Sequence, residues 1–345
     1  MQSEEALEAL PQSDSFPRSL SDRPFAYRAM VQVGRFFRYK PLGGFGVFLV
    51  LLCLFCAIFA PWIARYDPNE LFNGSNPNYN PELAAKAQTD PSLRLKYDSS
   101  VFTPGKPLLH VGPSMAHWLG TDTVSHDLYS RIIYGSRTAV TVGFGSAIIA
   151  MLAGTVLGIM SAYWGGAFDF ITQRVVDSLQ AFPALVLLIV FNQVIASPNI
   201  YWIVLSLGII GIAPLVRVVR SAVLSTREEV YVTAAQTIGA SDMRIMAKHI
   251  FPNVTAPIIV VFTSSIGVYI LAEATLAFLG LGDPTTVSWG QMVNTGRQLG
   301  PSSPGMALYV GTALTLTVLG FNLAGDALRD VLDPRLRGRG GRAGF

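Results

Sequence analysis

Five stretches of this chain contain no Asp, Glu, Lys or Arg: Pro41–Ala64, Thr138–Phe168, Ser178–Val216, Ile250–Ala272 and Gln298–Gly325. A bilayer core of about 30 Å needs roughly 20 apolar residues at about 1.5 Å of helical rise each, so every stretch is long enough to cross. The 39-residue run from Ser178 to Val216 is too long for one crossing, and Ser197-Pro198-Asn199 near its middle is a turn signal that divides it into two antiparallel spans. The expected fold class is an all-α polytopic membrane protein of about six transmembrane helices. Composition agrees: 51% of the 345 residues are hydrophobic and 14% charged, against roughly 25% charged in soluble domains.

The expected segments are a cytoplasmic N-terminal tail at 1–40, spans at 41–64, 138–164, 178–196, 200–219, 254–281 and 306–327, and a cytoplasmic C-terminal tail at 328–345. Between them lie a long external segment at 65–137, a cytoplasmic loop at 221–253 and an external loop at 282–305. The first run follows about 40 polar residues and exceeds the apolar core of a signal peptide, so it is expected to stay as an anchor. Orientation follows from the basic residues, which favour cytoplasmic loops. With both termini inside, 17 Lys and Arg fall on the cytoplasmic side and eight outside, seven of those eight in the long segment where the rule loses force. The basic residues border apolar helices and form no single patch, which argues against nucleic acid as a partner and leaves membrane lipid as the surrounding medium.

Ser146, Ala150, Gly154, Gly158 and Ala162 recur every fourth residue and form a stripe of small side chains along one helix face. Such a face admits close approach of another helix, either within this chain or from a second subunit. No internal repeat is evident, which weighs against a secondary transporter built from two related halves.

The loop at 221–253 carries the densest set of local signals. Thr226 and Glu229 have capping-box spacing, Gly239 fits a helix C-terminus, Ser241 and Asp242 can restart a helix, and Pro252 and Pro257 mark its handover to the next span. The expected result is a helix, a tight turn and a second helix on the cytoplasmic face. Glu273 is a lone carboxylate in a span, open to a structural hydrogen bond or to a gating role.

Chemistry of other kinds finds little support. The chain has no phosphate-binding loop, Gly105-Lys106 being followed by proline, so no ATPase site is expected. Cys53 and Cys56 sit in an apolar span without nearby ligands, and His110, His117, His126 and His249 lack paired metal spacing. No catalytic, metal or cofactor site is assigned.

The stretch from Tyr231 through Ala234-Ala235, Gly239, Ala240, Ser241 and Asp242 to His249-Ile250-Phe251-Pro252-Asn253 resembles the Glu-Ala-Ala loop of ABC importer permeases. Further stretches look like the dipeptide/oligopeptide/nickel branch, C-type. They are His117-Trp118-Leu119-Gly120-Thr121-Asp122, Ser130-Arg131 to Gly135-Ser136-Arg137, Phe278–Gly282, Ser288-Trp289-Gly290, and Asn322 through Gly325-Asp326 and Arg329-Asp330 to Leu332-Asp333-Pro334-Arg335. Two positions depart: Thr233 replaces the loop's signature glutamate, and Ser125-His126 stands where the family has Gly-Arg. The external segment also looks longer than usual for the branch.

The resemblance implies a permease subunit of the cell inner membrane that pairs with a homologous B-type permease. Two ABC ATPase subunits carrying ATP and Mg would dock below, and an external binding protein would deliver substrate. Coupling to the ATPases would fall on Ala234, Ala235, Gly239, Ala240, Ser241, Asp242, Arg244, His249 and Pro252. Peptides are the default substrate, with nickel and oligosaccharides still open. The rival from another class is a stand-alone secondary transporter or channel.

Overall fold

The computed structural model describes residues 40–72, 80–90, 93, 109, 111–195, 199–299 and 304–332. The tail at 1–39, the Asn- and Pro-rich stretch 73–79, the Ser197-Pro198 turn and the tail at 333–345 lie outside the described residues.

Eleven named α-helices follow in order: α1 Pro41–Ile63, α2 Pro81–Thr89, α3 Leu128–Trp164, α4 Gly166–Gln180, α5 Ala184–Ile195, α6 Ile200–Arg227, α7 Val230–Thr237, α8 Asp242–Ile245, α9 Phe251–Phe278, α10 Trp289–Leu299 and α11 Pro304–Leu332. A π-helical turn, Met246–Ile250, joins α8 to α9 without a break. Among the described residues the β-structure is a single bridge, Thr121 to Asp127. Among the described residues five helices are long and apolar enough to span a membrane: α1, α3, α6, the continuous rod Asp242–Phe278 and α11; the bent pair of α4 and α5 makes six if counted as one. Helices are the natural solution here, since they satisfy their own backbone groups in hydrocarbon.

Several boundaries differ from the sequence expectation, three of them for visible reasons. The second span begins ten residues early, at Leu128 rather than 138, because Asp127 caps α3 by accepting the Ser130 N–H at 2.8 Å. Arg131 and Arg137 lie inside that helix, and Arg131 reaches Asp122 at 3.3 Å, so freedom from charge marked its start too late. The span expected at 178–196 holds the last residues of α4 and all of α5, and these two helices meet at 90°. Pro183, at the break, has no N–H to donate and disfavours helix in the residue before it. The fourth span continues past 219 to Arg227, its arginines held by partners: Arg220 binds Asp169 through two bonds of 2.7 and 2.6 Å, and Arg217 meets Asp177 at 2.6 Å.

The stripe on α3 packs against α6 of the same chain. The Ser146 hydroxyl donates to the Val204 carbonyl at 3.1 Å. A Cβ on Gly154 would come within 3.0 Å of Leu215, and one on Gly158 within 2.8 Å of Val219. Ala150 and Ala162 are buried on the same face. Around this contact Val142, Val216, Val219 and Ile270 are fully enclosed. At one end of the bundle Lys40 pairs with Asp330 at 2.5 Å, an exposed ion pair worth little.

Candidate coupling site

The segment from α7 to the π turn packs at one end of the bundle and has two unlike faces. Val232, Ala235, Ile245, Met246 and Ile250 are buried against Ile159 and Ala162 of α3 and Leu215, Val219 and Val223 of α6. The other face carries apolar side chains with nothing over them: Val230 is 82% exposed, Ile238 85% and Met243 70%. Covering side chains of this size contributes about 1.5–3 kcal/mol each.

The turn between α7 and α8 has a defined geometry. The Ala240 N–H bonds the Ala235 carbonyl at 3.0 Å and the Gly239 N–H bonds Gln236 at 2.9 Å, the double closure of a Schellman motif. Gly239 sits at φ +79°, where a Cβ is costly. The capping box does not form. Thr226 is still inside α6, so its hydroxyl donates back to the Ala222 carbonyl at 2.9 Å, and α7 starts after Glu229 with no side-chain cap.

Asp242 accepts a hydrogen bond from the Tyr163 hydroxyl at 2.9 Å, tying the start of α8 to the end of α3. Ser241 occupies the N-cap position of α8, and the Ile245 N–H bonds its carbonyl at 3.0 Å. Ala234, Arg244 and Pro252 are exposed and His249 is half-buried. Pro252 cannot donate to the Lys248 carbonyl as an α-helix requires. The wider π turn precedes it, with the Phe251 N–H reaching Met246 and the Asn253 amide donating to the His249 carbonyl at 2.7 Å.

Sequence reasoning missed the clamp that fixes this end. Arg227 donates to the Ala162 carbonyl at 2.9 Å at the C-terminus of α3, where a cation is favourable. Ser161 donates to Asp169 at 2.5 Å, and Asp169 in turn holds Arg220. The sequence signal for it is three arginines, 217, 220 and 227, at near-helical spacing.

Beside the site, a cavity of about 750 Å³ runs between α3, α6, α9 and α11. Its wall includes the in-helix prolines of α6 and α9, Pro214 and Pro257, together with Ser265, Tyr269, Ala272 and Arg329. Glu273 does not line it; the side chain is buried, 5% exposed. At the bundle's opposite end, His117 meets Asp127 at 2.9 Å and His126 meets Asp122 at 2.8 Å, fastening the 111–127 loop to α3. Ser125, where the family has glycine, adopts φ 81° and bonds the Phe72 carbonyl through its hydroxyl. Among the described residues no three His, Cys, Asp or Glu side chains gather as a metal site.

A helical membrane protein with an apolar cavity between its spans and an anchored two-helix loop at one end belongs to the class of transport components. The chain is a member of the family described as binding-protein-dependent transport system inner membrane component, whose sequence profile matches residues 154–338. Residues 30–85 match the N-terminal transmembrane domain of oligopeptide transport permease C. A putative peptide transport system permease of Brucella suis is 36% identical, the match covering 86% of this chain and 88% of the relative. A dipeptide transport system permease of Alkalihalophilus pseudofirmus is 35% identical over 85% of each. A glutathione transport system permease of Escherichia coli is 35% identical over 88% of this chain and 90% of its own length. The protein is therefore a permease subunit of a binding-protein-dependent importer.

Proposed function

We propose that this permease imports short peptides together with a homologous B-type permease. Its termini and the α7–α8 loop face the cytoplasm, two ABC ATPases carrying ATP and Mg dock on that loop, and an external binding protein delivers the substrate. Relatives named for peptide, dipeptide and glutathione transport support the substrate class, and the excess of basic residues at that end supports the orientation.

The observation that carries the coupling role is the two-faced loop, anchored on Val232, Ile245 and Ile250 and apolar outward at Val230, Ile238 and Met243. Force has a direct route from it. The rod from Asp242 to Phe278 joins the turn to the cavity wall without interruption, so ATPase closure that displaces α8 moves α9 as well. The π turn and Pro257 are the places where the rod can bend, which biases the cavity between its two openings.

In a cysteine-free background, Met115→Cys is expected to react with an impermeant maleimide added outside cells. Ile238→Cys is expected to resist it and to cross-link to an ATPase subunit from inside. Outside labelling of Ile238→Cys, with Met115→Cys protected, overturns the orientation and with it the docking role.

A further inference from the structure

Helices α4 and α5 meet at 90° around Ala181, Phe182 and Pro183, and the importer mechanism above gives that break no task. Its depth follows from what α4 packs on. Val176 and Leu179, near the end of α4, sit against Ile212, Ala213 and Val216, about 18 Å along α6 from Ile200. Since α6 is long enough to cross the bilayer, the break falls within the hydrocarbon core of about 30 Å.

Main-chain groups at the break are left over from both helices. The carbonyls of Ser178, Leu179, Gln180, Ala181 and Phe182 accept no hydrogen bond from a described residue, and the N–H groups of Phe182, Ala184 and Leu185 donate none. Pro183 has no N–H, and its carbonyl is taken by Val186 at 2.9 Å and Leu187 at 3.2 Å. Irregular main chain of this kind is not found against lipid tails, only where protein buries it or water reaches it. Water is the answer the surroundings support. Ala184 lines the cavity of about 750 Å³, while Ser178, Leu179 and Phe182 line a second hollow of about 460 Å³ with Leu187 and Phe191 of α5. Open space thus lies on both flanks of the break. Pro214 adds to the set within the cavity wall, because it leaves the Ile210 carbonyl without its helical donor and both residues line that wall. Arg329, in the last turn of α11, is the one charged side chain among the described residues of the wall. The groups there with unmet hydrogen bonding are therefore mainly main-chain ones.

We propose that the α4–α5 break is a substrate site that reads the main chain of a passing peptide. Resting on the peptide-importer reading, it pairs its free carbonyls with the peptide's N–H groups and its free N–H groups with the peptide's carbonyls. This is the two-way pairing by which an extended peptide is held on a sheet edge. The peptide's side chains take no part in it, so the site accepts peptides of different sequence.

The test uses the purified complex of this chain with its partner permease and ATPases, without binding protein, the chain being cysteine-free except for Ala184→Cys. A charged methanethiosulfonate reagent, which needs a thiolate in water, is expected to label that cysteine. Triglycine should slow the labelling by about fivefold or more, and trialanine and triserine should match it. Trisarcosine, which keeps the backbone carbonyls but has every peptide N–H methylated, should protect little. Pro183→Ala, which lets one helix run through and pair these groups internally, should lose the protection without lowering the melting temperature. Labelling by membrane-permeant N-ethylmaleimide but not by the charged reagent would put the break under lipid or the partner permease and overturn the proposal. Equal protection by triglycine and trisarcosine would overturn it as well. Uptake of radiolabelled triglycine by the same complex, reconstituted with binding protein and ATP, separates this site from the importer reading. Uptake without protection defeats the site alone, and protection without uptake defeats the importer reading alone.

Discussion

Gly158→Leu is expected to prevent assembly of the bundle. A Cβ at this position would lie 2.8 Å from the Val219 Cβ and 3.1 Å from the Val216 carbonyl, and the second of these is backbone that cannot rotate away. Leucine adds three more carbons in the same direction, so α3 and α6 must separate along the face where Ser146 and Gly154 also meet α6. Overpacking commonly costs about 1–3 kcal/mol, and forcing apart two long helices belongs at or above the upper end of that range. The check is the melting temperature and monodispersity of the detergent-purified chain. Gly311→Leu is the control, since a Cβ there meets nothing within 4 Å. A Gly158→Leu chain that melts with the control would show that α3 and α6 do not pack as described.

Gly239→Val should act the opposite way, sparing the bundle and stopping transport. Space is not the obstacle, because a Cβ on Gly239 meets nothing within 4 Å. The obstacle is φ +79°, a conformation that costs an L-residue about 1–2 kcal/mol and a β-branched one more. Relief comes by opening the turn, which breaks the bonds from Ala240 to Ala235 and from Gly239 to Gln236 and swings Ile238 and Met243 out of register. We expect ATP-driven uptake to fall by about tenfold or more, equivalent to at least 1.4 kcal/mol of lost coupling, with pairing to the partner permease retained. Gly239→Asn, which tolerates the left-handed region, should keep most of the activity. Thr233→Ser should also be mild, since the side chain is exposed and the position already lacks the family's glutamate. Uptake at the wild-type rate in Gly239→Val would remove the turn from the coupling mechanism.

Much of this architecture is legible in the sequence because bilayer and backbone impose strong rules. Charge-free runs mark α1, α6 and α11, and Gly239-Ala240-Ser241-Asp242 marks the turn at 239. The rules mislead where tertiary partners override them. Arg131 and Arg220 sit in helices because Asp122 and Asp169 neutralise them, so the spans outrun the apolar windows that locate them. Thr226 has the right spacing for a capping box, yet packing of Val219 and Val223 keeps α6 helical past it. The bend at Pro183 could be anticipated from the proline alone, but its 90° angle depends on how α4 is held to α6 by Arg217 and Arg220. Glu273 shows the same limit: its isolation in a span is plain from the sequence, while its burial depends on packing that only the fold brings about.

The central claim, that this chain is the pathway-forming subunit of an ATP-driven importer coupled through the 230–252 loop, is tested most directly by uptake. Proteoliposomes holding both permeases and both ATPases, with ATP inside and binding protein with a radiolabelled tripeptide outside, are the required system. The account predicts accumulation that stops when the binding protein or ATP is omitted, and that falls by about tenfold or more in Gly239→Val. Accumulation by this chain without the ATPases, or undiminished by Gly239→Val, would contradict it.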